Sequence, residues 1–211
     1  MTKLGRPGIL LLGALAFSGF IPVSHADDVG DCNGTDGATV IKGCTAIIDS
    51  GTNSGKDLAD VYFNRAIAYD QNNDDDEAIS DYSKAIELDA TDPDYYLNRG
   101  VAYQNFKDNE LAVRDYSKAI ELNPKDPVAF TNRGNAYYDA DNLDDAMTDY
   151  SKAISLDPKY GDAYLGRGLI HEQSKDRDKA VADLKKALEL QPDDEETVQA
   201  ANEALKRLGA N

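Results

Sequence analysis

Apolar and aromatic residues recur at intervals of three and four along most of the chain, with short polar breaks between the recurring segments. Two such segments are 94–106 and 111–122. This spacing places the apolar side chains on one face of an α-helix. The polar stretch 107–109 separates the two segments, and Pro124 and Pro127 follow the second, where proline ends one helix and can begin the next. The pattern therefore predicts a hairpin of two amphipathic helices.

The hairpin pattern returns every 34 residues. The segment DYSKAI begins at Asp81, Asp115 and Asp149, and it returns in altered form, DLKKAL, at Asp183. A fixed period of about 20 to 50 residues is typical of an array of stacked supersecondary units. One hairpin cannot bury its own apolar face, so about three or more copies are needed for stability. Four copies meet that requirement.

The repeated positions resemble the tetratricopeptide repeat (TPR) family, whose pattern is W-x2-L-G-x2-Y, then A-x3-F, then proline. In the second repeat the matching residues are Tyr96, Gly100, Tyr103, Ala112, Tyr116, Ala119 and Pro124. Arginine replaces the leucine of the pattern in every copy, and the fourth copy departs further at His171 and Leu184. The resemblance covers residues 59–194. It implies an all-α fold, a right-handed α-solenoid of four helical hairpins.

The resemblance and its flanks predict seven segments. These are a signal peptide at 1–26, an N-terminal disulfide-containing cap and linker at 27–58, TPR 1 at 59–92, TPR 2 at 93–126, TPR 3 at 127–160, TPR 4 at 161–194 and a C-terminal capping helix at 195–211. Terminal helices with a polar outer face keep such arrays soluble.

The first segment has the pattern of a secretory signal. Lys3 and Arg6 precede an apolar run at 8–21, and Ser24-His25-Ala26 fits the small-x-small cleavage rule. We expect cleavage before Asp27, with a retained anchor as the alternative, and a periplasmic or secreted location. Cleavage removes two positive charges and leaves a net charge of −19. That charge repels phosphate and anionic lipid, so we expect no nucleic-acid partner and no membrane binding after cleavage.

Cys32 and Cys44 are the only cysteines. In an oxidising compartment a disulfide is the default. The polar stretch 33–37 breaks any continuous helix between them, so the two can approach, and the bond would tether the N-terminal chain to a helix at 38–49. A metal pair or a redox couple is the alternative, although the chain has no Cys-x-x-Cys motif.

Few residues suggest chemistry. The acidic run from Asp70 to Asp81 imitates a calcium loop, but Asp75 stands where that loop needs glycine and Asp81 where it needs glutamate. We interpret it as a polar hairpin turn, with weak calcium binding as the alternative. His171 takes a position that holds tyrosine in the other repeats, which favours a packed histidine over a ligand or base. We therefore predict no enzyme activity, no metal and no cofactor.

Each repeat also has an arginine sixteen residues before the aspartate that begins its DYSKAI or DLKKAL segment. The pairs are Arg65 with Asp81, Arg99 with Asp115, Arg133 with Asp149, and Arg167 with Asp183. If the resemblance holds, both members face the packed sides of their helices. We predict an Arg–Asp bridge joining the two helices of every hairpin.

The TPR resemblance implies a concave groove, lined by the first helix of each hairpin, that binds an extended peptide or a partner helix. The matching groove positions are Asp60, Phe63, Asn64, Ile67, Asp94, Leu97, Asn98, Val101, Thr131, Asn132, Asn135, Tyr138, Asp162, Leu165 and Leu169, with Asp70 and Glu172 among further charged positions. None is lysine or arginine, so the cationic clamp that some TPR modules use for a carboxylate is absent from this set. Some of the apolar residues could serve only to pack neighbouring repeats.

These observations predict a non-enzymatic protein–protein interaction module, monomeric, that binds a protein or peptide with apolar and basic residues in an acidic groove and scaffolds or assembles envelope or secreted proteins. The alternative is a structural, self-assembling repeat protein. Light scattering across a range of concentrations distinguishes the two.

Overall fold

The computed structural model describes residues 31–210, so the predicted signal peptide at 1–26 lies outside the described residues. Within 31–210 there are ten helices and no strand. The helices are α1 (Gly37–Ser50), α2 (Gly55–Gln71), α3 (Asp75–Leu88), α4 (Pro93–Asn105), α5 (Asn109–Leu122), α6 (Pro127–Asp139), α7 (Leu143–Leu156), α8 (Gly161–Gln173), α9 (Arg177–Leu190) and α10 (Glu195–Arg207). The described part of the chain is thus all-helical, and the predicted all-α class is confirmed.

The turn inside each hairpin has the same backbone geometry. One residue adopts a left-handed conformation with φ of 61–63°, and the amide of the next residue donates to a carbonyl five residues back. This is the Schellman ending of a helix, which usually carries glycine at the left-handed position. Here side chains occupy it in all four repeats: Asn73, Lys107, Asp141 and Lys175.

Aspartate side chains begin many of the helices. Asp92 and Asp126 accept hydrogen bonds from the backbone at the starts of α4 and α6, and a proline occupies the first turn of both helices. Asp108 accepts in the same way from the amide of Leu111 at the start of α5. A carboxylate at a helix N-terminus satisfies an unpaired amide and interacts favourably with the helix dipole. Some of the aspartates that make the chain acidic thus cap the N-termini of helices.

The described residues fall into two compact units, 31–124 and 125–210. In the first, α1 packs on α2 through a cluster that includes Val40, Cys44, Ile47 and Val61. The predicted Cys32–Cys44 disulfide is present, with the Cα atoms 4.6 Å apart, and it holds the chain before α1 against that helix. Because both cysteines are buried, the disulfide forms part of this core.

In the second unit, α10 packs on α8 and α9. Ala201, Ala204 and Leu205 of α10 form one buried cluster with Leu165, Leu169, Leu184 and Ala187. Close approach elsewhere in this unit requires glycine: a Cβ on Gly166 would lie 2.3 Å from Cζ of the buried Tyr150 ring. The ring therefore packs directly against the backbone of α8 at Gly166.

All four predicted Arg–Asp bridges are present, and they share one geometry. Nε and Nη2 of the arginine donate to the two carboxylate oxygens of the aspartate at 2.6–2.9 Å. The side chains are 15–24% exposed for the arginines and 5–11% for the aspartates. Each guanidinium also lies 5.5–5.9 Å from the centre of one or two aromatic rings on its own helix. Such paired, stacked geometry suits arginine and not lysine.

In the first unit the same arginines reach a third helix. Nη1 of Arg99 donates to the hydroxyl of Ser83 on α3 at 2.9 Å, and Nη1 of Arg65 donates to the hydroxyl of Thr45 on α1 at the same distance. Each of these arginines thus links its own helix, the second helix of its repeat and the helix before it. The bridge is the contact that fixes the register of the hairpin.

We predict that Arg133→Met lowers the free energy of unfolding by about 3–5 kcal/mol, because it leaves the Asp149 carboxylate buried without its partner. The double variant Arg133→Met/Asp149→Leu should recover much of the loss, since no unpaired charge then remains buried. Urea and thermal denaturation measure both. Lys118→Met, in the exposed pair of Lys118 with Glu121, is the matched control and should change little. An unchanged melting temperature for Arg133→Met would contradict a structural role for the bridge.

Candidate functional site

Ten of the fifteen predicted groove positions are partly accessible, and eight of the ten lie on the first helices of repeats 1 and 2. We call these eight the α2–α4 surface: Asp60, Phe63, Asn64 and Ile67 on α2, and Asp94, Leu97, Asn98 and Val101 on α4. The two helices contact each other through Phe63 and Tyr95, whose ring centres lie 5.0 Å apart. Eight of the fifteen predicted positions thus lie on two contacting helices of one unit.

The apolar residues of the α2–α4 surface differ in what they contact. Phe63 lies against the ring of Tyr82 as well as Tyr95, and Ile67 packs on the buried cluster that contains Ala66 and Tyr82. These two side chains therefore help to pack the repeats, which was the alternative interpretation of the sequence. Leu97 and Val101 are partly accessible on α4 and are the better candidates for contact with a ligand.

The acidic end of the surface includes a cation that the sequence analysis did not place there. Nζ of Lys56 lies 3.2–3.6 Å from the carboxylates of Asp60, Asp89 and Asp92. Asp60 also accepts a hydrogen bond from the phenol of Tyr95, and burial together with these carboxylates raises the pKa of that phenol. Lys56 therefore neutralises part of the negative charge of these three carboxylates, which lie near the N-termini of α2 and α4.

The asparagines on the surface are partly engaged. The amide of Asn64 donates to Oδ1 of Asn33 at 3.1 Å, which places the disulfide-held segment beside α2. The amide of Asn98 donates to the backbone carbonyl of Asp94 at 2.8 Å. Each retains its own side-chain oxygen as an acceptor, so both can still bind backbone amides of a peptide.

The predicted groove positions on α6 and α8 are mostly closed. Thr131, Asn132 and Asn135 are 1–3% exposed, and Leu165 and Leu169 are 3% and 8% exposed. The hydroxyl of Thr131 donates to its own helix at Pro127, and Asn135 accepts from the phenol of Tyr150. The expectation that these five residues line an open groove does not hold in the structure.

On α8, the predicted groove positions are buried because helix α10 packs over them. Its apolar face covers Leu165 and Leu169, and Tyr138 of α6 packs against the same cluster. At the end of α10, Arg207 donates from Nε and Nη2 to the two oxygens of Glu172, both at 2.7 Å. Of the predicted positions in this unit, Tyr138 and Asp162 remain partly accessible. The sequence predicts only a capping role for α10, because nothing local to residue 207 indicates Glu172 as its partner.

Asp70 is the unusual carboxyl of the first unit. It lies in the last turn of α2, and its Oδ1 is buried with no hydrogen-bond partner among residues 31–210. Burial, with a smaller effect of the Asp75 charge, raises the pKa of Asp70 to about 6. The phenol of Tyr82 on α3 is likewise buried without a partner, and burial and the charge of Asp70 raise its pKa.

The acidic run that imitates a calcium loop forms the end of α2, the turn at residues 72–74 and the start of α3. In the described part of the chain no three side chains of histidine, cysteine, aspartate or glutamate are grouped as ligands for a metal ion. Residues 31–210 also contain no helix with the length and apolar character needed to cross a membrane.

His171 lines a cavity of about 350 Å³ together with Met147, Ser151, Arg167, Lys179, Ala182 and Asp183. Its Nε2 lies 3.9 Å from the Asp183 carboxylate, and burial lowers the pKa of the imidazole. Arg167 already occupies both oxygens of Asp183. Both oxygens of Asp183 thus belong to the Arg–Asp bridge of the fourth repeat, which agrees with the interpretation of His171 as a packed histidine.

We predict that Asp70→Asn stabilises the protein at pH 7.5 and not at pH 4. The pKa of Asp70 is raised on folding to about 6, so ionisation opposes folding and its cost appears as the pH rises from about 4 through 6. Solvent screening of this half-buried group reduces the expected gain to about 1–2 kcal/mol. Melting temperatures across pH measure it, with Asp144→Asn, an exposed carboxylate, as control. An equal effect at both pH values would contradict the buried charge.

Family models support the repeat assignment. A TPR repeat model matches residues 68–105 and 134–175, and two tetratricopeptide repeat models match residues 93–126 with 161–194 and residues 116–148. Together the matches run from residue 68 to residue 194, more than half of the chain. No curated protein sequence matches the chain.

Several solved structures have a similar fold. A crystal structure of MamA has 25% sequence identity and a TM-score of 0.71, covering 81% of this chain and 97% of that chain. The first TPR of Spaghetti (RPAP3), bound to the HSP90 peptide SRMEEVD, has 26% identity and a TM-score of 0.52, covering 57% and 96%.

YrrB, a TPR protein with an unusual peptide-binding site, has 24% identity and a TM-score of 0.60, covering 79% of this chain and 81% of its own. At that identity the likeness concerns the fold alone. The repeat period, the helical hairpins and the family matches agree: the chain belongs to the tetratricopeptide repeat family.

Proposed function

We propose that this protein is a monomeric, non-enzymatic binding module that holds a segment of another protein on the α2–α4 surface. TPR domains are typically interaction modules. The observation that carries the proposal is the accessibility of all eight predicted positions on α2 and α4, in contrast to the buried positions on α6 and α8. The ligand surface is thus narrower than the sequence suggested.

The proposed ligand carries apolar anchors beside arginine or lysine. Leu97 and Val101 offer the apolar contacts, Asp94 and the neighbouring acids offer the charge, and Asn64 and Asn98 offer acceptors for backbone amides. In the similar Spaghetti structure the bound peptide, SRMEEVD, contains three acidic residues. An acidic α2–α4 surface repels such a segment, so we propose a ligand of the opposite charge.

We also propose that the protein is exported and acts in the periplasm or outside the cell, where it scaffolds or assembles envelope or secreted proteins. The signal-like pattern at 1–26 and the buried Cys32–Cys44 disulfide support this location. Mass spectrometry of the chain isolated from its native host should find Asp27 as the first residue. A chain that retains residues 1–26 and is found with the cytoplasm would contradict export.

Binding can be tested with an array of twelve-residue synthetic peptides in which leucine and arginine are placed at all positions of an alanine–glutamine background. We predict that the best peptides combine both residue types and that their affinity falls as salt rises from 50 to 500 mM. Exposed charge pairs are screened over about 8 Å at physiological ionic strength. Isothermal titration calorimetry of the selected peptides measures the effect.

The variant Leu97→Asp should weaken these peptides about tenfold or more, because it places a charge at an apolar contact. Leu88→Asp is the matched control, since Leu88 is 37% exposed at the end of α3 and lies outside the α2–α4 surface. Affinity that does not depend on salt, or equal losses in the two variants, would contradict the proposal.

A further inference from the structure

The cavity of about 350 Å³ in the second unit lies beside the Arg–Asp bridge of the fourth repeat and opens to solvent. Three helices supply its walls, namely α7, α8 and α9. The lining residues are Met147, Ser151, Arg167, His171, Lys179, Ala182 and Asp183. None of them is a predicted groove position, so the cavity shares no residue with the α2–α4 surface.

The bridge arginine of this repeat lacks a contact that Arg99 makes. Nη1 of Arg99 donates to the hydroxyl of Ser83, sixteen residues earlier in the chain, at 2.9 Å. The same pair of residues returns as Arg167 and Ser151. Arg167 donates from Nε and Nη2 to Asp183, and among the described residues neither its Nη1 nor the Ser151 hydroxyl has a hydrogen-bond partner. A charged donor and a hydroxyl on the cavity wall therefore have unused hydrogen-bonding capacity.

The histidine of the cavity replaces a larger ring. His171 stands at the position of three tyrosines whose rings lie 5.7–5.9 Å from the guanidinium of their own repeat, namely Tyr69, Tyr103 and Tyr137. An imidazole is smaller than a phenol ring and has no hydroxyl. The substitution therefore leaves room beside Arg167 in the fourth repeat.

The lysine of the cavity brings a positive charge to a position without one in the earlier repeats. Lys179 corresponds in sequence to Glu77, Leu111 and Asp145. Its Nζ lies 2.7 Å from the carboxylate of Asp176 in an exposed pair. Because exposed pairs contribute little to stability, Lys179 can contact another carboxylate at small cost.

The helix that carries Lys179 is also the least acidic second helix of the four repeats. Helix α9 has four basic and three acidic residues, whereas α3 has one basic and five acidic, α5 two and three, and α7 one and three. The one acidic residue that lines the cavity, Asp183, has both oxygens paired with Arg167. An anion that enters the cavity therefore meets cations and not free carboxylates.

We infer that this cavity binds a carboxylate on a short apolar stem, held by Lys179, by Nη1 of Arg167 and by the hydroxyl of Ser151. Ammonium and guanidinium groups donate strong, charge-assisted hydrogen bonds to carboxylates. Met147 and Ala182 offer apolar contacts for the stem. The inference is independent of the proposed function, since the two sites use different residues of different units.

Methionine NMR of the full chain tests the site directly. The chain has two methionines, so labelling their methyl groups with carbon-13 gives Met147 as a reporter on the cavity wall and Met1 as an internal control. We expect valerate to shift the Met147 signal with saturation. Its neutral analogue valeramide, and inorganic phosphate, which has no stem, should each bind about tenfold more weakly. The absence of a saturable shift, or equal affinity for valerate and either analogue, would overturn the site.

A capped peptide with one internal glutamate, and its glutamine version, distinguish the source of the carboxylate. Tighter binding of the glutamate peptide than of valerate indicates a side chain of a partner protein, and tighter binding of valerate indicates a small organic acid. Both results support the site. A glutamine peptide that shifts Met147 as strongly as the glutamate peptide would contradict recognition of a carboxylate.

Lys179→Glu restores the negative charge found at Glu77 and Asp145, and it should weaken valerate about tenfold or more, because attraction becomes repulsion. Lys185→Glu is the matched control: it makes the same change at an exposed position of α9 that does not line the cavity, and it should leave the affinity unchanged. Both positions are exposed, so the melting temperature should change little in either variant. Equal losses of affinity in the two variants would overturn the role of Lys179.

His171→Tyr gives the fourth repeat the ring that the first three repeats have at this position. The larger ring should fill the space beside Arg167 and abolish the valerate-dependent shift of Met147, while thermal denaturation confirms that the chain stays folded. Unchanged valerate binding by the folded variant would show that the ligand lies elsewhere.

Discussion

The bidentate bridge between arginine and aspartate is the interaction on which the rest of the structure depends. It joins the two helices of every repeat at a distance that varies by only 0.1 Å, from 2.6 to 2.7 Å, between the first pair and the others. Two aromatic rings of the same helix lie beside the guanidinium of Arg65, Arg99 and Arg133, and one lies beside that of Arg167, so the charge is shielded without losing its partner. Because a buried charge without a partner is strongly unfavourable, this contact excludes other registers of the hairpin.

The same constraint determines which side of a first helix remains available. Arg65 pairs with Asp81 on the second helix and lies over the ring of Tyr69, while Phe63 contacts Tyr82 of its own repeat and Tyr95 of the next. What remains accessible on α2 and α4 is a mixture of acids, asparagines and aliphatic side chains. The side of α2 and α4 that stays accessible is therefore a consequence of the bridge and of the packing between repeats.

Much of the fold could be predicted from the sequence because its information is local and repeated four times. The 34-residue period predicts the helical hairpins. Arg65 and Asp81 return with that period in the later repeats, and this recurrence predicts the bridge. The disulfide followed from two cysteines separated by a helix-breaking stretch. Lys56 was missed because it lies at the start of α2, outside the positions to which the TPR pattern assigns a ligand role.

The site was predicted less well because accessibility depends on distant parts of the chain. Leu165 has the same position in its repeat as Leu97, yet α10 covers it, and the periodicity carries no information about that cover. The unpaired state of Asp70 is likewise invisible in the sequence, since Gln104 and Glu172 occupy the same position with partners. The pattern specifies positions, and only packing decides which of them are open.

The hydroxyl of Thr45 on α1 has a consequence for the evolution of the array. It accepts a hydrogen bond from Arg65, as the hydroxyl of Ser83 accepts one from Arg99. The contact between α1 and the first repeat therefore uses the same pair of groups as the contact between the first and second repeats. Duplication of a 34-residue copy behind the cap would recreate a compatible junction without new side chains. The number of copies can therefore change in evolution more easily than the cap itself.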